Sequence, residues 1–167
     1  MMRLPARLLR SKAGLLLDIS PGGTPQENAI VLSTYANVLM LPFPLPTASV
    51  HTAVLTHVLE YLAPELFFPW WDDLWRIMKP KGIVYVSGPY GGDDHHGWIT
   101  DPAHRVRIVE QSFAWLDPRT PLYELHAAAG RRPPKPWHTL TTARVPASQD
   151  TISYNAMLQV QPLPTKG

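Results

Sequence analysis

The sequence predicts an α/β fold with a mostly parallel sheet, helices on its faces and an antiparallel hairpin at the C-terminal end. Three observations carry this prediction. Short continuous apolar runs of strand length recur through the first half of the chain. An amphipathic helix stands between two of them, and two β-rich runs joined by a turn close the chain. At 167 residues the chain makes one domain, 1–167, with 1–12 read as an N-terminal extension and 161–167 as a tail.

Leu15 to Ile19 is a short apolar run ended by Pro21-Gly22-Gly23, the pattern of a buried strand that stops in a tight turn. Ala29 to Leu32 repeats the pattern after so few residues that a full crossover helix does not fit, so the first crossover helix is expected to be short or missing. Asn37 to Leu41 is a third short segment. Pro42, Pro44 and Pro46 follow it, and each lacks the amide a central strand needs. His51 to Val58 resumes as a buried strand. Glu65 to Met78 places Leu66, Trp70, Trp71, Leu74 and Met78 at helical spacing, with Asp72, Asp73 and Arg76 elsewhere on the wheel. This predicts a core-facing helix that starts in earnest at Pro69 and stops at Lys79-Pro80-Lys81-Gly82. Ile83 to Ser87, β-branched and aromatic, is the clearest strand, and strand–helix–strand implies parallel pairing. A polar loop from Gly88 to His104 follows. Arg105 to Leu116 is expected to be helical, and His138 to Val145 and Thr151 to Val160 are expected to pair as a hairpin.

Composition narrows the function classes. Apolar residues make up 45% and charged residues 17%, a globular balance. Fifteen Lys+Arg against thirteen Asp+Glu give +2, and the scattered arginines form no stripe for nucleic acid, so a nucleic-acid partner is not expected. The absence of cysteine excludes disulfides, thiolate nucleophiles and Cys-ligated metals. Asp18 interrupts the apolar run after Arg3, Arg7 and Arg10 before it reaches signal-peptide length, which predicts a cytoplasmic protein. No segment approaches the roughly 20 apolar residues of a membrane span.

Residues 50–89 carry a recognisable string: His57-Val58-Leu59-Glu60-Tyr61-Leu62, then Arg76-Ile77-Met78-Lys79-Pro80-Lys81-Gly82, preceded by Leu41-Pro42-Phe43-Pro44. It resembles the middle of a class I S-adenosylmethionine-dependent methyltransferase, with its LPFP, "hVLEHL" and "RVLKPGG" segments. Trp98 to His104 and Ser112 to Leu116 resemble a stretch of small relatives, so the likeness spans roughly residues 14–160. It implies a compact Rossmann-like domain that binds S-adenosylmethionine and transfers its methyl group to an acceptor, a small molecule or a protein, that the sequence does not identify.

The resemblance also implies site residues. Asp18, Ser20 and Gly22 occupy the turn after the first strand, where relatives carry Gly-x-Gly, so a side chain at Asp18 is expected to meet the ligand. Ser33 stands where an acid accepts from the ribose hydroxyls. Asn37 stands where an acid meets the adenine amine, and an amide oxygen still accepts there. His57 ends its strand on the same edge. Tyr90, His96, Asp101 and His104 follow the best strand and are expected on the acceptor side, since ligands of open α/β sheets bind outside the carboxyl ends of the strands.

Two alternatives stay open. One is a methyltransferase-like protein that no longer binds cofactor and serves as an interaction or assembly subunit, with homo-oligomerisation through the helix bearing Trp70, Trp71 and Trp75. The other is a metal held by Asp93, Asp94, His95, His96, Asp101 and His104 in support of hydrolysis, although this spacing matches no helical ligand signature and no metal site is assigned.

Overall fold

The structure is a computed structural model that describes residues 14–20, 26–27, 29–32, 39–92, 100–129, 134–146 and 152–163. Six strands form one sheet: β1 (Leu15–Ile19), β2 (Ile30–Val31), β3 (Val50–Thr56), β4 (Met78–Pro89), β5 (Trp137–Pro146) and β6 (Ile152–Val160), in the order β2-β1-β3-β4-β6-β5. The first four are parallel. β6 runs antiparallel to β4, and β5 pairs antiparallel with β6 as the closing hairpin. The helices are α1 (Phe67–Ile77) and α2 (Pro121–Ala128), with short 3-10 helices at Leu59–Tyr61, Pro64–Leu66 and Glu110–Leu116. This is the mixed Rossmann-like sheet with the C-terminal hairpin that the sequence predicts.

The main core lies between α1 and the sheet, and a small second cluster joins Leu16 and Val54 with Ala29 and Tyr85. Phe67, Trp70, Trp71, Leu74 and Ile77 are the buried stripe of α1, facing Leu17, Ile19, Ala53, Leu55, Val84, Val86, Ala156 and Leu158. Each Leu, Ile, Val and Phe among them contributes about 1.5–3 kcal/mol by leaving water. Trp71 sits at the centre, edge-on to Trp70, Phe113 and Trp137, with centroids 5.7, 6.3 and 5.2 Å away. Trp70 and Trp71 are 0% exposed within a single chain: they belong to the chain's own core. Trp75 lies on the half-buried outer side, where its Nε1 donates to the Gln161 carbonyl at 3.0 Å.

The proline-rich stretch docks on α1 instead of extending the sheet. Arg76 donates to the carbonyls of Leu45 (2.9 Å) and Phe43 (3.0 Å), while the Phe43 amide donates to Asp73 at 2.6 Å. Phe43 is thereby held in the core, edge-on to Trp70 at 5.4 Å.

Two predicted elements change form. β4 begins at Met78, and Lys79-Pro80-Lys81-Gly82 bulge out between the pairs Val50↔Met78 and Thr52↔Ile83. Gly82 is needed there because a Cβ would stand 2.8 Å from the Lys79 carbonyl oxygen and 3.0 Å from that of His51. Residues 105–109 are not helical. The Arg105 and Val106 amides donate to the Glu60 carbonyl (2.6 and 3.2 Å), and the Ile108 carbonyl accepts from the Gly91 amide (2.8 Å), so the backbone is engaged by neighbouring segments and cannot close helical bonds. A short 3-10 helix, Glu110–Leu116, then buries Phe113 and Leu116. Asp117 fixes its exit by accepting from the Arg119 guanidinium and from the Thr139 amide of β5. Among the described residues no helix is long and apolar enough to cross a membrane.

Candidate functional site

β1 is the strand at which the sheet order reverses, with β2 on one side and β3 on the other. The crevice outside its carboxyl end is where ligands of open α/β sheets bind. Three strand ends meet at this edge: Asp18 to Ser20 from β1, Thr56 and His57 from β3, and Ser87 to Pro89 from β4. The His57 amide donates to the Ser87 carbonyl at 2.9 Å, carrying the pairing one residue past β3.

Asp18 is fully buried, yet its carboxylate is committed to the turn. One oxygen accepts from the Ser20 hydroxyl and the other from the Gln26 amide at 2.6 Å. Both oxygens are thus occupied within the segment that follows β1, and the Asp18 carbonyl also receives the Leu32 amide at 2.9 Å. Between β1 and β2 lie ten residues, and β2 is two residues long. Gly22, Ser33 and Asn37 lie outside the described residues, as does His96 with Asp93, Asp94 and His95.

His57 adopts a left-handed backbone conformation, φ 55°, which is uncommon for a residue with a Cβ and is often kept at functional positions. Its ring is half exposed. Nδ1 lies 3.1 Å from Oε1 of Glu60, which is fully buried. That hydrogen bond raises the His57 pKa above its ordinary value; burial opposes the shift and the Glu60 charge supports it. Glu60 Oε2 and the hydroxyl of the buried Tyr154 have no partner among the described residues. Burial pushes the Tyr154 phenol well up, and the neighbouring Glu60 charge adds to this.

Asp101 and His104 are brought together around Tyr61, a residue the sequence reading did not single out. The Tyr61 hydroxyl donates to Asp101 Oδ2 at 2.7 Å, His104 Nε2 stands 3.7 Å from the same oxygen, and the His104 ring meets the Tyr61 ring edge-on at 4.9 Å. The Ala103 amide, then the Tyr61 hydroxyl, hold the Asp101 pKa below its ordinary value against a small opposing effect of burial, with His104 adding to the depression. The only sequence signal for Tyr61 was its place after Glu60 in the family-like string, since a phenol that pairs forty residues away leaves no local pattern. Tyr90 is buried at the end of β4. Its amide donates to the Ile152 carbonyl at 2.9 Å and its ring lies 4.5 Å beneath the Arg144 guanidinium, which also donates to Glu110 at 2.6 Å. Its ring therefore packs as a lid between β4 and the hairpin.

No protein-family model matches the sequence, and no curated protein does. Solved structures do match. An S-adenosylmethionine-dependent methyltransferase from Methanosarcina mazei is similar with a TM-score of 0.56 at 12% identity, over 96% of this chain and 99% of its own. The 1,6-didemethyltoxoflavin-N1-methyltransferase of Burkholderia thailandensis, with 1,6-didemethyltoxoflavin and S-adenosylhomocysteine bound, gives 0.55 at 14% identity over 94% and 74%. The 4+2 cyclase SpnF gives 0.52 at 14% identity over 89% and 75%. The chain has the class I methyltransferase fold. The cyclase among these matches is a reminder that a fold does not by itself dictate a reaction.

Proposed function

We propose that this chain uses its class I fold to bind S-adenosylmethionine at the carboxyl end of β1 and to transfer the methyl group to an acceptor. The observation that carries this reading is the commitment of the buried Asp18 carboxylate to the turn after the switch strand. A buried carboxylate is costly unless its oxygens are hydrogen-bonded, and here both bonds tie the end of β1 to the segment that follows it at the crevice. The residues present fit a nucleoside there because Asp18, bonded to the Ser20 hydroxyl and the Gln26 amide, holds the backbone that borders the edge. Gly22, Ser33 and Asn37 extend the same edge in the sequence-based assignment, and His57 closes it from β3.

The cofactor supplies an electrophilic methyl group. The chain aligns the acceptor with it and excludes water, work that needs no dedicated general base. Asp101 and His104, tied through Tyr61, are assigned to the acceptor side together with His96, and Tyr90 supports that wall from below. Calorimetry with S-adenosylmethionine and S-adenosylhomocysteine tests the reading: saturable binding of both is expected.

A second reading is a scaffold of the same fold that binds no cofactor. The two-residue β2 and the short link before it favour this reading, because a longer crossover would add a helix N-terminus for the ligand. No heat of binding and no thermal stabilisation at millimolar ligand decides for the scaffold.

A further inference from the structure

A cleft of about 340 Å³ opens between the start of α1 and the Glu110–Leu116 helix, lined by no residue of β1. Phe67, Phe68 and Trp115 line it together with the strap 105–108, which carries Arg105 and Arg107. Burial alternates along this strap: Arg105 and Arg107 are exposed, while Val106 and Ile108 turn inward. The strap's backbone is independently anchored by the bonds to Glu60 and Gly91 described above. The two cations therefore stand on a fixed support beside an aromatic wall.

We propose that this cleft binds a small aromatic anion, a single flat ring bearing one carboxylate or phosphate group. Its volume is at the lower end of small-molecule sites and suits one ring. The aromatic wall offers edge and face contacts to that ring, and a guanidinium recognises a carboxylate or phosphate through paired N–H donors. A further observation comes from behind the wall. His126 is 6% exposed, its ring lies edge-on to Phe68 (4.4 Å) and Trp115 (5.3 Å), and its Nδ1 has no partner among the described residues. The His126 ring thus backs the aromatic wall and packs against both of these rings. The proposal does not depend on methyl transfer.

The test uses the full chain and four probes, benzoate, phenyl phosphate, benzyl alcohol and inorganic phosphate, read by 1H–15N NMR. Benzoate or phenyl phosphate should shift the Trp115 indole and the amides of 105–108 saturably. The ring without charge and the charge without ring should each bind at least about tenfold more weakly. The relative strength of benzoate and phenyl phosphate identifies the preferred head group. The double variant Arg105→Ala/Arg107→Ala should lose binding about tenfold or more while its amide spectrum outside the strap keeps the folded pattern of the wild type, since the strap is anchored through its backbone. Benzyl alcohol binding as tightly as benzoate, inorganic phosphate binding as tightly as phenyl phosphate, or no shift at millimolar probe each overturns the proposal. A parallel titration with S-adenosylhomocysteine reports on the other site, so the two readings fail separately.

Discussion

The two flanks of β1 are built differently. On one side the described residues form a single strand of two residues, Ile30–Val31, half exposed at the sheet edge. On the other stand β3, β4, β6 and β5, of 7, 12, 9 and 10 residues, with α1 packed over them. The long flank holds nearly all of the core, and the short flank holds the turn that borders the candidate cofactor edge. Stability and ligand binding therefore draw on different residues, and substitutions should separate them.

The largest effect is expected deep in the long flank. Trp71→Ala removes the ring that joins α1 to Phe113 and Trp137 and should cost about 3–5 kcal/mol, read as a lowered denaturant midpoint. Next is Gly88→Ala in β4. The added Cβ would lie 2.8 Å from the Tyr154 hydroxyl oxygen and 3.0 Å from its ring, so a loss of about 1–3 kcal/mol is expected. Tyr154→Phe should relieve part of that loss in the double variant. Alone it should be close to neutral, because the hydroxyl it removes has no partner among the described residues.

On the short flank, Asp18→Ala should cost about 1–3 kcal/mol by leaving the Gln26 amide without its acceptor. It should also abolish S-adenosylhomocysteine binding in calorimetry. A variant that binds normally would remove Asp18 from the site. Trp71→Ala, by contrast, should keep its affinity for as long as it stays folded.

The smallest effect is in the pH dependence at His57. Its pKa is raised in the folded protein, mainly by the Glu60 hydrogen bond. The protonated ring therefore adds stability below the unfolded value of about 6.5, and that contribution is lost as pH rises through the higher folded value. The ring is half exposed, so the change is small. NMR titration of the His57 ring should show the raised pKa in the wild type and a lower one in Glu60→Gln; equal values would dissociate the pair.

The long flank was legible in the sequence because apolar periodicity reports burial directly. Leu15–Ile19, the strand after Val50, the Trp70, Trp71 and Leu74 centre of the α1 stripe and the closing hairpin all emerge from it, while Phe67 and Ile77 complete the stripe in place of Leu66 and Met78. The elements that escaped were set by distant backbone bonds. Residues 105–109 read as helix until Glu60 and Gly91 engage their amides and carbonyls, and the β4 bulge at Lys79–Gly82 reads as a helix stop. α2 was missed although Thr120 before Pro121 is a helix-start signal: the Thr120 hydroxyl accepts from the Tyr123 amide at 3.4 Å. At the site, sequence placed Asp18, His57, Asp101 and His104 at strand ends and loops. It did not show that Asp18 turns inward or that Tyr61 joins Asp101 to His104, because both depend on tertiary geometry.

The central claim is that the short flank still forms a nucleoside-binding edge. Mapping amide shifts on adding S-adenosylhomocysteine tests it most directly. The account predicts shifts concentrated at Asp18, Ser20, Gln26, Leu32 and His57, with β5 and the outer face of α1 silent. Silence at those five residues under millimolar ligand, or shifts confined to the α1 side, would contradict it.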